Sequence, residues 1–388
     1  MLRFAKIIVV MAGLSIAFLG LLAGALYLIS PFIMGEEIDL LSSTLSVSFA
    51  ALGLGLGLPL AWQGFRPRPA WVLVAVFVVA VILGQVVLTF DLLPALIFPP
   101  FYILAAVLPP LFFLAFVGRS LAERDVRWRE VILQLSSGAF LATFGAFSSE
   151  AVLGLLLMVV VFTLAALTPG GASWFQELSA HLQDPRWFQN PENAYGLLLS
   201  PPVLVALGLM VLVIVPLVEE MFKSLGVVIM SYRWPSKAQS FLWGLAGGAG
   251  FALAEGLFSG ALSLEDWGGT ALLRVGATAM HCLGGGLMGL GWYYLFATRR
   301  PWRLLGAYAA SASLHSLWNA AALGMIVVSS SAGASAADEV GLALGGLVAL
   351  ALTAFLSLLA FLAILVIFYL TRWLRAQMGA YVELGGAL

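Results

Sequence analysis

The chain has 388 residues, of which 62% are hydrophobic and only 10% charged, with a formal net charge of −1 and a mean hydropathy of +1.06. That composition excludes a soluble or disordered protein and predicts an all-α, polytopic transmembrane helical bundle. With no run of Lys and Arg long enough to neutralise a phosphate backbone, nucleic acid is excluded as a partner, and membrane lipid is the expected surrounding. The single cysteine, Cys282, excludes an intramolecular disulfide and any cysteine-based metal cluster.

Taken in chain order, residues 7–29 follow Arg3 and Lys6 but are too long for a secretory signal and lack a small-residue cleavage site, so they read as the first anchor. Spans are predicted at 41–62, 71–90 and 95–117, with breaks at Pro67, Pro69 and Asp91. Gly53-x-x-x-Gly57 predicts two closely approaching helices and is not a nucleotide fingerprint, because no strand precedes it. The stretch 131–167 is too long for one ordinary span and barely long enough for two. Later spans are predicted at 203–230, 238–260, 271–297, 304–328 and 341–370.

Short cytoplasmic loops are enriched in Lys and Arg. Arg3/Lys6, Arg66/Arg68, the segment 119–129, Arg233/Lys237, Arg299/Arg300/Arg303 and Arg372/Arg375 alternate with Glu36/Glu37/Asp39, Asp91, Glu177/Asp184/Glu192, Glu265/Asp266 and Asp338/Glu339; Arg186 is the exception. The alternation requires an odd number of crossings in 131–167. We therefore expect one crossing near 150–167, preceded by a helix at the interface or entering partway, about ten spans in all, and both termini in the cytoplasm. Asp91, Glu150 and the Glu36/Glu37 pair fall near span ends and read as solvated charges. The organisation expected is an N-terminal membrane region (1–202) with an extracytoplasmic cap loop (168–202) anchored by Trp174, Trp187 and Phe188, a helical core (203–328), and a last span with a cytoplasmic tail (329–388).

Ionisable groups at bilayer depth are costly and rare, yet four clusters fall on four successive spans of the core: Glu219-Glu220-x-x-Lys223, Phe251-x-x-x-Glu255, Arg274 with His281, and His315-x-x-x-Asn319. Glu219 and His315 come near the midplane, and Glu255 and His281 somewhat nearer the external side, so the four can meet in one cavity. Glu219 and Lys223 share a helix face, which lets the lysine hold that carboxylate ionised, whereas Glu220 is turned by about 100° toward another neighbour. An imidazole and a carboxamide one turn apart, as in His315 and Asn319, can donate to an oxyanion while a carboxylate opposite takes a proton from water. Phe251 reads as packing, and Gly284, Gly285, Gly286 and Gly289 as permitting close helix contact.

The ordered set Glu219-Glu220-Met221-Phe222-Lys223, Phe251 to Gly256, Arg274 with His281, and His315-Ser316-Leu317-Trp318-Asn319 resembles the PrsW family of glutamic-type intramembrane proteases, related to the CAAX prenyl endopeptidases and their bacteriocin-processing relatives. The resemblance covers roughly residues 203–328. It implies peptide hydrolysis in the membrane by glutamate-activated water, without metal or other cofactor. Glu219 or Glu220 would be the general base and His315 with Asn319 the oxyanion donors. In the prenyl endopeptidases the second motif ends in a water-holding histidine; that position here is Glu255, so Glu255, His281 or neither takes the role. Gly256 stands where PrsW-like proteins commonly have asparagine. The implied partner is a single-span membrane protein such as an anti-sigma factor, and the implied location is a bacterial cell membrane.

Two other classes use the same residue types. A proton-coupled transporter also places carboxylates and histidines at the midplane on broken helices, and Gly247, Gly248 and Gly250 would break one before Glu255. The scaffold subunits of gamma-secretase resemble the same superfamily, which gives an inactive binder of a partner helix as a third reading. A zinc hydrolase fits less well, because the His-Glu-x-x-His spacing is absent.

Overall fold

A computed structural model describes residues 2–34, 39–62, 70–121, 128–184, 186–187, 190–233, 235–259, 267–334 and 339–385. Among these, every regular element is a helix. In order they are α1 (Leu2–Met34), α2 (Leu40–Trp62), α3 (Ala70–Thr89), α4 (Pro94–Ile97), α5 (Pro99–Leu121), α6 (Trp128–Ser136), α7 (Thr143–Ala166), α8 (Gly171–Leu182), α9 (Pro191–Leu198), α10 (Pro201–Leu209), α11 (Val215–Lys223), α12 (Leu225–Met230), α13 (Lys237–Ser259), α14 (Trp267–Thr298), α15 (Pro301–Ala334) and α16 (Glu339–Gly385). π-helical turns at Ser137–Ala142 and Met210–Ile214 join α6 to α7 and α10 to α11. Of the charges used to assign sidedness, Glu36, Glu37, Arg66, Arg68, residues 122–127 of the segment 119–129, Glu265, Asp266 and Asp338 lie outside the described residues, as does Phe188 of the expected cap. Asp39 is described, and it starts α2: its carboxylate accepts the Ser42 amide at 2.6 Å, the N-cap bond of a helix. Hydrogen bonds from the Ser42 hydroxyl and then its amide hold the Asp39 carboxyl below its usual range.

Nine helical runs among the described residues are long and apolar enough to cross a membrane. The tenth expected span lies in α14, which at 32 residues is long enough but is not among the nine. Its Arg274, His281 and many glycines lower the hydropathy, and every residue from Gly276 to Gly286 is buried. A helix walled by protein need not be as apolar as one bathed in lipid. The stretch 131–167 is one uninterrupted helical run from Trp128 to Ala166. In its leading part Val131, Ile132, Gln134, Leu135 and Ser136 are buried, and Gln134 Nε2 donates to the Gly226 carbonyl at 3.0 Å, a tie between two helices. Glu150 stands inside α7, well away from its ends. The cap holds two short helices, α8 and α9, instead of a plain loop.

Contacts divide the chain into two units. The first comprises Met1–Thr143, Glu220–Ser311 and Ala360–Leu388. Its centre is α13, whose apolar stretch is 89% buried, packed against α14, α5 and α6. Close approach explains the burial. A Cβ on Gly248 would strike the His281 carbonyl and one on Gly285 the Gly244 carbonyl, so only glycine lets α13 and α14 pack at this distance. The same device joins α1 and α2, where Gly53 and Gly57 meet Gly20 and Gly13, as the Gly-x-x-x-Gly spacing predicts. Helix α13 runs unbroken from Lys237 to Ser259: Gly247 packs on the Lys223 carbonyl and Gly250 on that of Leu135, so these glycines are contact points and not a hinge. At its C-terminal end the carbonyls of Gly256 and Leu257 both lie 2.9 Å from the buried Tyr102 hydroxyl, which serves groups a helix end leaves without a partner.

The second unit comprises Phe144–Glu219 and Ala312–Leu359. Here α8 docks on α7 through Phe162, whose ring lies 5.9 Å from Trp174 and 6.4 Å from Phe175. His181 and Trp187 stack at 4.7 Å beyond it. Ser316 and Asn319 of α15 bond to the π-helical turn at Met210–Ile214.

Candidate functional site

The first unit assembles its polar groups around the end of α11. That helix stops at Ser224 (φ −98°, ψ 0°) and resumes as α12. The interruption is held from outside: Trp292 Nε1 donates to Ser224 Oγ at 2.8 Å, and Ser224 Oγ donates to the Met221 carbonyl at 3.1 Å. One turn earlier, Glu220 and Lys223 point inward with side chains fully shielded from solvent.

From there a chain of charged groups linked through the His281 imidazole runs across α11, α14 and α13. Glu220 Oε1 is 2.8 Å from Lys223 Nζ. Lys223 Nζ is 2.6 Å from His281 Nδ1, His281 Nε2 is 2.8 Å from Glu255 Oε2, and Arg274 Nη1 is 3.0 Å from Glu255 Oε1. An ammonium can only donate, so Nδ1 of His281 accepts and Nε2–H donates to Glu255; the neighbours assign the tautomer. The Phe251 ring closes the wall, 4.3 Å below Lys223 Nζ and 5.5 Å from the imidazole centre, so it combines packing with a cation–π contact. The charges grow more accessible along the chain, from Glu220 at 0% to Glu255 with 34% of its side chain exposed.

The i,i+4 spacing offers Lys223 the Glu219 carboxylate; Lys223 also holds Glu220, at i,i+3, a contact that the spacing argument did not pick out. Arg274 and His281 do share a face, and the reason is Glu255, which takes one of them on each oxygen. Gly284 also has a role that spacing did not reveal. A Cβ there would collide with Glu220 Oε2, so this glycine is the seat of a buried carboxylate as well as a helix contact. Ser224 and Trp292 carry no pattern that sequence reasoning could have used.

The second unit holds Glu219, His315 and Asn319. Glu219 precedes Glu220 and is turned from it by about 100° around the helix; its Oε2 is 3.8 Å from His315 Nε2, both residues being buried. Asn319 Nδ2 donates to the Val211 carbonyl at 3.0 Å and Ser316 Oγ to the Leu212 carbonyl at 2.7 Å. Both acceptors lie in the π-helical turn, where the regular i→i−4 ladder is interrupted and carbonyls accept other donors. One N–H of the Asn319 amide is thereby used in holding α15 to that turn. Glu219 itself sits on a run that spans Pro201 to Met230, about 16 Å from its far end at ~1.5 Å per residue, which is membrane depth.

Carboxylates, imidazoles and an ammonium buried on membrane-length helices define an integral membrane protein with a polar centre for chemistry or transport. The family model described as PrsW family intramembrane metalloprotease matches residues 127–352. That is more than half of the chain, and the chain belongs to this family; it is an intramembrane protease, a hydrolase. No curated protein and no solved structure matches it.

The family description names a metal. Among the described residues, those grouped with suitable donor atoms are Glu219, His281 and His315. Glu219 and His315 offer one carboxylate and one imidazole, both suited to zinc, which in catalytic sites takes three protein ligands. His281, in the first unit, has an ammonium on one ring nitrogen and a carboxylate on the other. A neighbouring ammonium opposes a divalent cation at His281, which leaves Glu219 and His315 of the second unit as the donors better suited to one.

Proposed function

We propose that this protein cleaves a peptide bond of a single-span membrane protein, in a bacterial cell membrane, with water activated by Glu219. The observation that carries this reading is the 3.8 Å gap between Glu219 Oε2 and His315 Nε2. It is too long for a direct hydrogen bond and suits a water bonded to both at roughly 2.8 Å. Glu219 takes a proton from that water as its oxygen adds to the scissile carbonyl carbon. His315 and the second N–H of Asn319 donate to the oxyanion that forms. Collapse of the tetrahedral intermediate breaks the C–N bond, and Glu219 passes its proton to the leaving nitrogen, which returns the enzyme to its starting state.

Glu220 is the less suitable base because Lys223 already neutralises it at 2.8 Å. Glu255, His281, Lys223, Phe251 and Arg274 then hold the charge chain at the end of α11. By resemblance, the substrate class is an anti-sigma-factor-like membrane protein.

The test is cleavage of a single-span substrate by purified protein beside its melting temperature. Glu219→Gln is expected to abolish turnover with little change in melting, and Glu220→Gln to lower melting while leaving measurable turnover. The opposite pattern would transfer the base to Glu220. Because the family description implies a metal, the same assay is run after prolonged chelation. Unchanged turnover is expected; loss restored by zinc would replace carboxylate activation with a metal-bound water held in part by Glu219 and His315.

A further inference from the structure

A cavity of ≈ 250 Å³ opens at the start of α13 and the end of α14, lined by Ser231, Ser236, Ser240, Trp292, Tyr293 and Phe296 among others. It belongs wholly to the first unit and uses none of the residues assigned to the reaction, although its wall residue Trp292 also bonds Ser224. Aromatic faces and hydroxyls give it an apolar body with a polar edge. Its edge residues Ser236 and Ala297 are followed closely in the chain by Lys237 and by the exposed Arg299, Arg300 and Arg303. No Asp or Glu occurs in 225–240 or 292–303. Two of these cations are pre-positioned on one ring: Lys237 Nζ lies 5.7 Å and the Arg303 guanidinium 4.3 Å from the centre of Tyr294.

An independent observation concerns Arg299, one of three described non-glycine residues with positive φ (56°). It follows the end of α14, and the next amide, Arg300 N–H, returns to the Tyr294 carbonyl at 2.9 Å. A left-handed residue just past the end of a helix is ordinarily glycine. An arginine held there against its backbone preference points to a use for its side chain.

We propose that this cavity binds an anionic glycerophospholipid, with the upper acyl and glycerol part in the aromatic pocket and the phosphodiester on Arg299, Arg300 and Lys237. Anionic headgroups gather at basic pockets between spans on the cytoplasmic side, the side that the positive charges assign to this end of α13 and α14.

The test uses the full-length protein in neutral detergent, with its melting temperature measured alone and with phosphatidylglycerol, phosphatidylcholine or inorganic phosphate. Phosphatidylglycerol at about ten times its dissociation constant is expected to raise melting by roughly 2–4 °C, and the other two to do little. Arg299→Gly should melt no lower than the parent without lipid, because glycine accepts a positive φ freely, yet lose most of the phosphatidylglycerol increment. Ala297→Trp, which fills the cavity from its edge, should lose it too and decides the matter if Arg299→Gly folds poorly. Equal increments with both lipids, or full increments in both variants, would overturn the proposal. An increment from phosphate alone would make this a free-anion site and overturn the lipid assignment.

Discussion

Replacing Lys223 with methionine removes a buried cation with three partners. Its ammonium lies 2.8 Å from Glu220 Oε1, 2.6 Å from His281 Nδ1 and 4.3 Å from the centre of the Phe251 ring, and only 2% of the residue is exposed. At 2.8 Å and an effective dielectric near 20, the attraction to Glu220 alone is about 6 kcal/mol, against which stands the cost of keeping both charges from water. Deleting one partner of such a pair costs about 3–5 kcal/mol, because the other charge stays buried. Lys223→Met and Glu220→Gln are each expected to destabilise by that amount, measured by denaturant titration in detergent. The double variant should recover most of the loss, to within about 2 kcal/mol of the parent, the remainder reflecting the contact His281 gives up. It should also retain substrate cleavage. A Lys223→Met variant within about 1 kcal/mol of the parent, or a double variant whose loss equals the sum of the singles, would refute the coupling; a stable double variant with no turnover would return Glu220 to the chemistry.

Gly284→Ala puts a methyl against Glu220 Oε2, so we expect the carboxylate to shift and turnover to fall about 10-fold or more, as positional errors of this kind do; a crystal or cryo-electron structure with Glu220 unmoved and normal kcat would dispose of the seat. Asn319→Ala loses its bond to the Val211 carbonyl, worth about 1 kcal/mol of stability, and as an oxyanion donor it should also lower kcat by roughly 100-fold with little change in KM. A fall in stability with kcat intact would leave it only the helix-holding role. Cysteine probes near residues 265 and 338 should react with a membrane-impermeant reagent from outside while one at residue 299 does not, and reversed labelling would invert the orientation drawn from the charge pattern.

Much of the architecture was legible because lipid imposes a simple demand. Residues that face it must be apolar over about 20 positions, and the backbone must satisfy itself in helices. The same demand made the rare ionisable positions conspicuous, so the residues of the charge chain could be singled out from residue type and spacing alone. Helical periodicity sets Glu219 and Glu220 about 100° apart, since that rotation does not depend on what surrounds the helix. The Gly53-x-x-x-Gly57 contact was readable for a similar reason: a missing Cβ is a property of the residue itself.

Partner choice was not local, and there the tertiary structure decided. An ammonium four residues from one carboxylate and three from another can reach either, and it is held on Glu220 in a setting where α14 brings Gly284 beneath that carboxylate and His281 beside the lysine. Whether Gly247, Gly248 and Gly250 break a helix or let neighbours approach depends on the carbonyls opposite, which come from Lys223, His281 and Leu135. Hydropathy likewise could not tell that α14 is buried in protein, or that Gln134 ties α6 to Gly226. Composition and period act within one helix and fix its class, face and depth; which groups share a proton, a charge or a carbonyl is set by atoms tens to hundreds of residues away, brought within 3 Å only when the helices pack.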